Sequence, residues 1–156
     1  MNIYIATDHA GYAHKEKIKD FFEQENLKGH LYKIIDCGAH ELDTEDDYTV
    51  YIHKAMQSLT RDWQLGESSR AIIFGGSGEG EAMVANRYSG VRATVYYGYD
   101  TEIVRVGREH NDANVLSIGA RFVSAIEMCN VVKIFLDTGF SKEERHMRRI
   151  AQIDLS

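Results

Sequence analysis

The sequence has no proline in 156 residues, where about 5% would be ordinary. Every turn must therefore be made with Gly, Asn, Asp or Ser. Cysteine is nearly absent too. The 2 residues, Cys37 and Cys129, share no metal-ligand spacing and do not look like a disulfide framework. A reducing cytoplasm is the simplest setting for them. No run approaches the roughly 18 apolar residues of a membrane-spanning helix, so no membrane partner is expected. The segment Met1–His9 lacks the basic region and long apolar core of a signal peptide. Positive charge is also scarce, with 18 Lys+Arg against 24 Asp+Glu and a net charge of −6. A general nucleic-acid binder needs a broad cationic surface, so that class is set aside. What remains is ordinary for a globular chain: 44% hydrophobic and 27% charged residues, which excludes wholesale disorder. The length allows one domain, residues 1–156.

The pattern along the chain is alternation. Ile3–Thr7, Leu31–Ile35, Ala71–Phe74, Val91–Tyr96 and Val115–Ile118 are short β-rich runs. Between them lie stretches with helical apolar spacing: Ile18, Phe21, Phe22 and Leu27, then about Tyr48 to Gln64, about Gly80 to Tyr88, and Thr101 to Arg108. Ser124 with Glu127, and Ser141 with Glu144, carry the capping-box signature of two further helix starts. Gly139 sits where a C′ glycine would end the first of them. Strands separated by helices imply parallel pairing and right-handed crossovers. The expected fold class is α/β: a three-layer α/β/α sandwich with a five-stranded parallel sheet, Rossmann-like, plus a C-terminal helix.

In such sheets ligands bind beyond the C-terminal strand ends. Asp8-His9-Ala10-Gly11 follows the first strand. An acidic loop from Asp43 to Tyr48 follows the second. Gly75-Gly76-Ser77-Gly78-Glu79-Gly80-Glu81 follows the third, and Gly119-Ala120-Arg121 the fifth. With Arg108-Glu109-His110-Asn111-Asp112 after the fourth helix, polar groups are expected to collect on one edge. The glycine loop opening a helix is either a tight turn or an anion cradle, made of close backbone and free N–H groups. It is not a P-loop, since no Gly-Lys-Ser/Thr follows, and its spacing is not the dinucleotide fingerprint. Glu81 beside such a loop is a usable base, because repulsion and burial raise a carboxyl pKa. His110 reads as a surface or capping group or as an acid–base residue. His9, His14 and His110 have no helical ligand spacing, so no metal is expected. Arg145 and Arg149 share a helical face. They form either a solvated face paired with acidic loops or a guanidinium clamp for a phosphate monoester.

These residues resemble the family of type B ribose-5-phosphate isomerases, which also holds the subunits of galactose-6-phosphate isomerase. The likeness covers nearly the whole chain. It is carried by Thr7–Gly11, by Gly76–Glu81 with Ala85-Asn86, by Arg108–Leu116 running on to Gly119-Ala120-Arg121, and by Arg145-His146 with Arg149. The resemblance implies cofactor-free and metal-free interconversion of ribose 5-phosphate and ribulose 5-phosphate through an enediolate. It implies that His110 assists ring opening and that the loop of Gly76, Ser77, Gly78 and Gly80 stabilises the enediolate oxygens. Asp8, His9, Tyr48 and Asn111 match positions that line the sugar site, and Arg121, Arg145 and Arg149 match phosphate-binding arginines. The partner implied is a small sugar phosphate, in a homodimer or homotetramer with the site at the dimer interface. Many members use a cysteine base at the position of Gly75. A second group uses glutamate at the position of Glu81, and this sequence fits that group. It departs in having Asp47-Tyr48-Thr49 where Asp-Tyr-Pro is usual, and in a longer Leu59–Ser69 segment. The rival readings are an isomerase of a six-carbon sugar phosphate, galactose 6-phosphate or allose 6-phosphate, and a non-catalytic sugar-phosphate sensor.

Overall fold

The computed structural model describes residues 1–154. Strand and helix alternate as β1 (Asn2–Thr7), α1 (Tyr12–Leu27), β2 (Lys33–Asp36), α2 (Tyr48–Gln64), β3 (Ser69–Gly75), α3 (Glu79–Ala85), β4 (Ala93–Tyr96), α4 (Glu102–Asn111), β5 (Val115–Gly119), α5 (Ala125–Asp137) and α6 (Glu144–Ile150). A 3-10 turn, His9–Gly11, joins β1 to α1. All neighbouring strands pair in parallel, in the order β2-β1-β3-β5-β4.

Strand side chains alternate between faces, and both faces are apolar, as a parallel sheet covered on both sides requires. Ile3, Ile5, Ile72, Phe74, Leu116 and Ile118 pack against Ile18 and Phe22 of α1, Val104 of α4, and Met128, Val131 and Phe135 of α5. Their alternates Tyr4, Ala6, Ala71, Ile73 and Val115 meet Ile52, Met56 and Leu59 of α2 and Ala85 of α3. The α/β/α sandwich is as expected.

Three local details differ from the sequence pattern. Helix α4 continues past Arg108 to Asn111. It ends where Asp112 takes a left-handed conformation (φ 46°) and returns its N–H to the Arg108 and Gly107 carbonyls. His110 and Asn111 are therefore on the last helical turn, not beyond it. Ser141 does not cap α6. Glu143 is the N-cap, without a side-chain bond, and the Ser141 hydroxyl lies 2.9 Å from His146 Nδ1. Gly139 takes no left-handed turn; Thr138 ends α5 with φ −80°, its hydroxyl donating to the Ile134 carbonyl at 2.7 Å. Ser124 does cap α5, accepting from the Glu127 N–H at 3.2 Å. The Glu127 carboxylate accepts from the Tyr96 hydroxyl at 2.6 Å.

One topological fact positions the site. Strands β1 and β3 are neighbours, yet β1 leads to α1 on one face and β3 leads to α3 on the other. Their C-terminal loops therefore diverge and open a crevice, the switch point of a doubly wound sheet.

Candidate active site

The crevice is floored by the end of β3. Gly75 pairs with Gly119, and the two loops beyond are tied together by Ala120 N–H to the Gly75 carbonyl at 2.9 Å and Arg121 N–H to the Gly76 carbonyl at 3.2 Å. Gly78 sits at φ 81°, in the left-handed region. A Cβ there would also come within 3.1 Å of the Ile118 backbone, so only glycine makes this turn without strain. The Gly78 carbonyl accepts from the Ser117 hydroxyl at 2.6 Å, which pins the loop to β5. No described acceptor takes the N–H groups of Ser77, Gly78 or Gly80. They remain available to an oxyanion at the start of α3.

Glu81 and Glu79 diverge as their helical spacing demands. Glu79 is exposed and Glu81 is 4% exposed. The Glu81 carboxylate lies over the α-carbon of Gly75: a Cβ at position 75 would fall 1.9 Å from Oε1 and 2.3 Å from Oε2. A side chain at 75 and this placement of Glu81 exclude each other. Burial pushes the Glu81 pKa up to about 7; a main-chain hydrogen bond opposes that shift, and the Asp8 charge adds to it. The group is thus a carboxylate near its midpoint at neutral pH, with basicity well above an ordinary carboxylate.

Across the crevice, Asp8 caps the 3-10 turn by accepting from the Ala10 N–H at 3.0 Å. His9 is held by Asp46, whose Oδ1 lies 3.0 Å from the His9 main-chain nitrogen and 2.7 Å from Nδ1. In the sequence Asp46 is one acid in a run of charge, and only a fold that returns residue 46 to residue 9 distinguishes it. Asp8, His9 and Asp46 each offer a ligand atom within 4.8 Å of the others. The short His9–Asp46 contact is that of a hydrogen bond, and Arg121 adds a cation whose charge is felt at His9. The Arg121 guanidinium also closes on Gly76, within 3.2 Å of where its Cβ would be. Tyr48, first residue of α2, reaches the same loop. A Cβ at Gly80 would lie 2.9 Å from its hydroxyl.

The other expected residues lie elsewhere. Helix α4 runs back from the end of β4 to the start of β5, so its C-terminus is at the N-terminal edge of the sheet. Arg92 at that edge donates to the Asn111 carbonyl at 2.9 Å, and Arg108 donates to the Ala113 and Thr138 carbonyls. His110 meets α6 there, its ring centroid 4.3 Å from that of His146. Arg145 and Arg149 are exposed on α6, Arg145 paired with Glu143 at 2.8 Å. The expectation of a single polar edge is thereby corrected. Asp8, His9, Tyr48, Glu81 and Arg121 share one edge; His110, Asn111, Arg145 and Arg149 share the opposite one. Strand β5, five residues long, separates them by roughly 13–17 Å at about 3.3 Å per residue.

A buried carboxylate poised near neutrality, beside free main-chain donors at a sheet switch point, is equipment for moving protons. An enzyme of that class is what this fold and site describe. The family model described as Ribose/Galactose Isomerase matches residues 3–153, and the chain belongs to that family, which includes the type B ribose-5-phosphate isomerases. It is 37% identical over 150 residues to ribose-5-phosphate isomerase B of Mycobacterium tuberculosis (strain ATCC 25618 / H37Rv), covering 96% of this chain and 86% of that one. It is 33% identical over 149 residues to 4-deoxy-4-sulfo-D-erythrose isomerase of Clostridium sp. (strain MSTE9), covering 96% and 87%. The crystal structure of ribose-5-phosphate isomerase B from Mycoplasma genitalium with bound ribulose-5-phosphate superposes with a TM-score of 0.85 at 30% identity, over 97% of this chain and 93% of that one. Among the described residues no helix is long and apolar enough to cross a membrane.

Proposed function

We propose that the protein is an aldose–ketose isomerase that interconverts ribose 5-phosphate and ribulose 5-phosphate through an enediolate, with Glu81 as the base. The observation that carries this reading is the Glu81 carboxylate laid over Gly75, buried, raised to about 7 and adjacent to unpaired loop N–H groups. Glu81 removes the C2 proton of the open-chain aldose. The electron pair moves into a C1–C2 double bond, and the carbonyl oxygen becomes an enediolate oxygen. Proton return from Glu81 to C1 and transfer of the O2 proton to O1 complete the ketose. The N–H groups of Ser77, Gly78 and Gly80 stabilise the charge on oxygen as it develops. Relatives named for a five-carbon phosphate and for a four-carbon sulfonate both carry an anionic tail, which Arg145 and Arg149 suit.

The site is completed by a second copy of the chain. His110, Asn111, Arg145 and Arg149 cannot reach Glu81 across the sheet within one copy, but a twofold partner brings the opposite edges together. Met83 on α3, Tyr97 after β4 and Met147 on α6 are exposed apolar residues on the two regions that would meet. The metal-free route and the ring-opening role of His110 belong to the same proposal.

Two experiments test it. Ketose formation from ribose 5-phosphate should far exceed that from a hexose 6-phosphate or the four-carbon sulfonate; the reverse order reassigns the substrate. Glu81→Gln and His110→Ala chains, each strongly impaired on cyclic substrate, should recover activity when refolded together. Each mixed dimer has one site with both residues intact, so random pairing restores about a quarter of parental activity. No recovery, with mixed dimers verified by mass, would refute the shared site.

A further inference from the structure

The Glu81 chemistry and the arginine clamp leave Asp46 unused, although it is the least ordinary residue of its loop. Its neighbours Glu45 and Asp47 are exposed, whereas the Asp46 side chain is 5% exposed. One oxygen, Oδ1, takes both the His9 main-chain N–H and the ring at Nδ1. The other, Oδ2, is buried without a hydrogen-bond partner. Burying a carboxylate with an unpaired oxygen is costly unless a positive or strongly donating partner offsets it. His9 is that partner. A carboxylate only accepts, so the 2.7 Å contact places the ring proton on Nδ1 and leaves Nε2 as the nitrogen not bound to Asp46.

The groups acting on His9 come from three strand-end loops. Asp46 and Asp8 favour its charged form, Arg121 and burial oppose it, and the Asp46 hydrogen bond dominates, so the His9 pKa lies above its ordinary value. Behind Asp46, Tyr51 of α2 feels the same carboxylate and is raised, burial being the main cause. His9 remains partly open to the crevice, its side chain 29% exposed.

We propose that Asp46 is the positioning residue of His9, holding its Nδ1–H so that Nε2 faces a sugar oxygen of the bound aldose phosphate and, in the protonated ring, donates to it. The arrangement parallels a carboxylate that orients a catalytic imidazole in other hydrolytic and isomerising sites. It rests on the isomerase reading, and it explains why a surface loop buries one of its several acids.

The test has a readout that needs no turnover. Nitrogen-15 NMR of the imidazoles, in the unmodified protein without substrate, should show neutral His9 protonated at Nδ1 and titrating above its ordinary value. Asp46→Asn should lower the His9 pKa, because the Asp46 hydrogen bond is the largest cause of its rise. It should cut kcat at least tenfold with little change in KM, and pull the alkaline fall of kcat to lower pH. Asp46→Glu should recover part of the loss. His9→Asn combined with Asp46→Asn should be no worse than His9→Asn alone. Finding neutral His9 protonated at Nε2 in the parent overturns the proposal without any variant. So does an unchanged His9 titration, or unchanged kcat, in a folded Asp46→Asn protein. A parent that isomerises no aldose phosphate instead refutes the isomerase reading and the substrate half of the proposal; the NMR result then still decides the pairing.

Discussion

Replacing Glu81 by Gln should stop turnover and, above neutral pH, make the protein more stable. The burial that raises the Glu81 pKa from 4.5 to about 7 is a stability statement as well as a catalytic one. The folded state holds the proton more tightly than the unfolded chain. Its contribution is therefore fully present below the unfolded value near 4.5, falls as pH rises through about 7, and is absent above that. A shift of this size corresponds to about 3 kcal/mol. Glutamine keeps the shape and never ionises, so it escapes that loss. Thermal or urea unfolding of parent and variant should nearly coincide at pH 4 to 5 and diverge toward pH 8, the variant ahead by up to about 3 kcal/mol. Over the same range kcat should fall by about 10²–10⁴-fold, with substrate affinity much less affected. The parental kcat/KM should rise with an apparent pKa near 7 as the base ionises. Glu79→Gln, altering an exposed neighbour, should stay within a few-fold in rate and flat in stability. A Glu81→Gln protein that is active, or destabilised equally at every pH, would refute the argument that Glu81 is both the base and a buried, strained carboxylate.

Gly75→Ala should fold normally but lose most of its kcat, because the new Cβ displaces only the flexible end of Glu81; unchanged kcat with a crystal structure showing Glu81 in place would contradict this. Arg145→Ala and Arg149→Ala should each raise KM by about 10- to 150-fold, the worth of a charge-assisted hydrogen bond of roughly 1.5–3 kcal/mol, and unaltered kinetics would return these exposed residues to a solvated surface. His110→Ala should slow cyclic substrate more than an open-chain analogue, since ring opening alone needs a proton moved between ring and anomeric oxygens; equal losses would assign His110 to isomerisation or folding. Activity should survive exhaustive chelation and thiol alkylation, whereas loss restored by one divalent ion would point to the Asp8–His9–Asp46 cluster as a metal site.

Local and periodic features were legible in the residues themselves. Alternating apolar runs and helical spacings located the five strands and the first four helices, because one-dimensional periodicity is what distinguishes the two, while capping signatures pointed to the last two helices. The glycine loop was readable as a strand-to-helix turn. So was the divergence of Glu79 from Glu81, since a helix turns about 100° per residue. The resemblance of the chain to its family named the base, the histidine and the arginines. Tertiary structure alone decided where those residues stand. That α4 ends at the start of β5 follows from parallel pairing, but it separates His110 from Glu81 by the length of the strands. The Ser141 capping signature failed because His146, held against α4, took the hydroxyl instead. The contact between Asp46 and His9 joins residues 37 apart, which no local pattern encodes. Gly75 owes its identity to a carboxylate six residues further on, brought over it by the first turn of α3. Periodicity specifies elements because it depends on nearest neighbours along the chain; proximity between loops depends on strand order, which long-range packing selects.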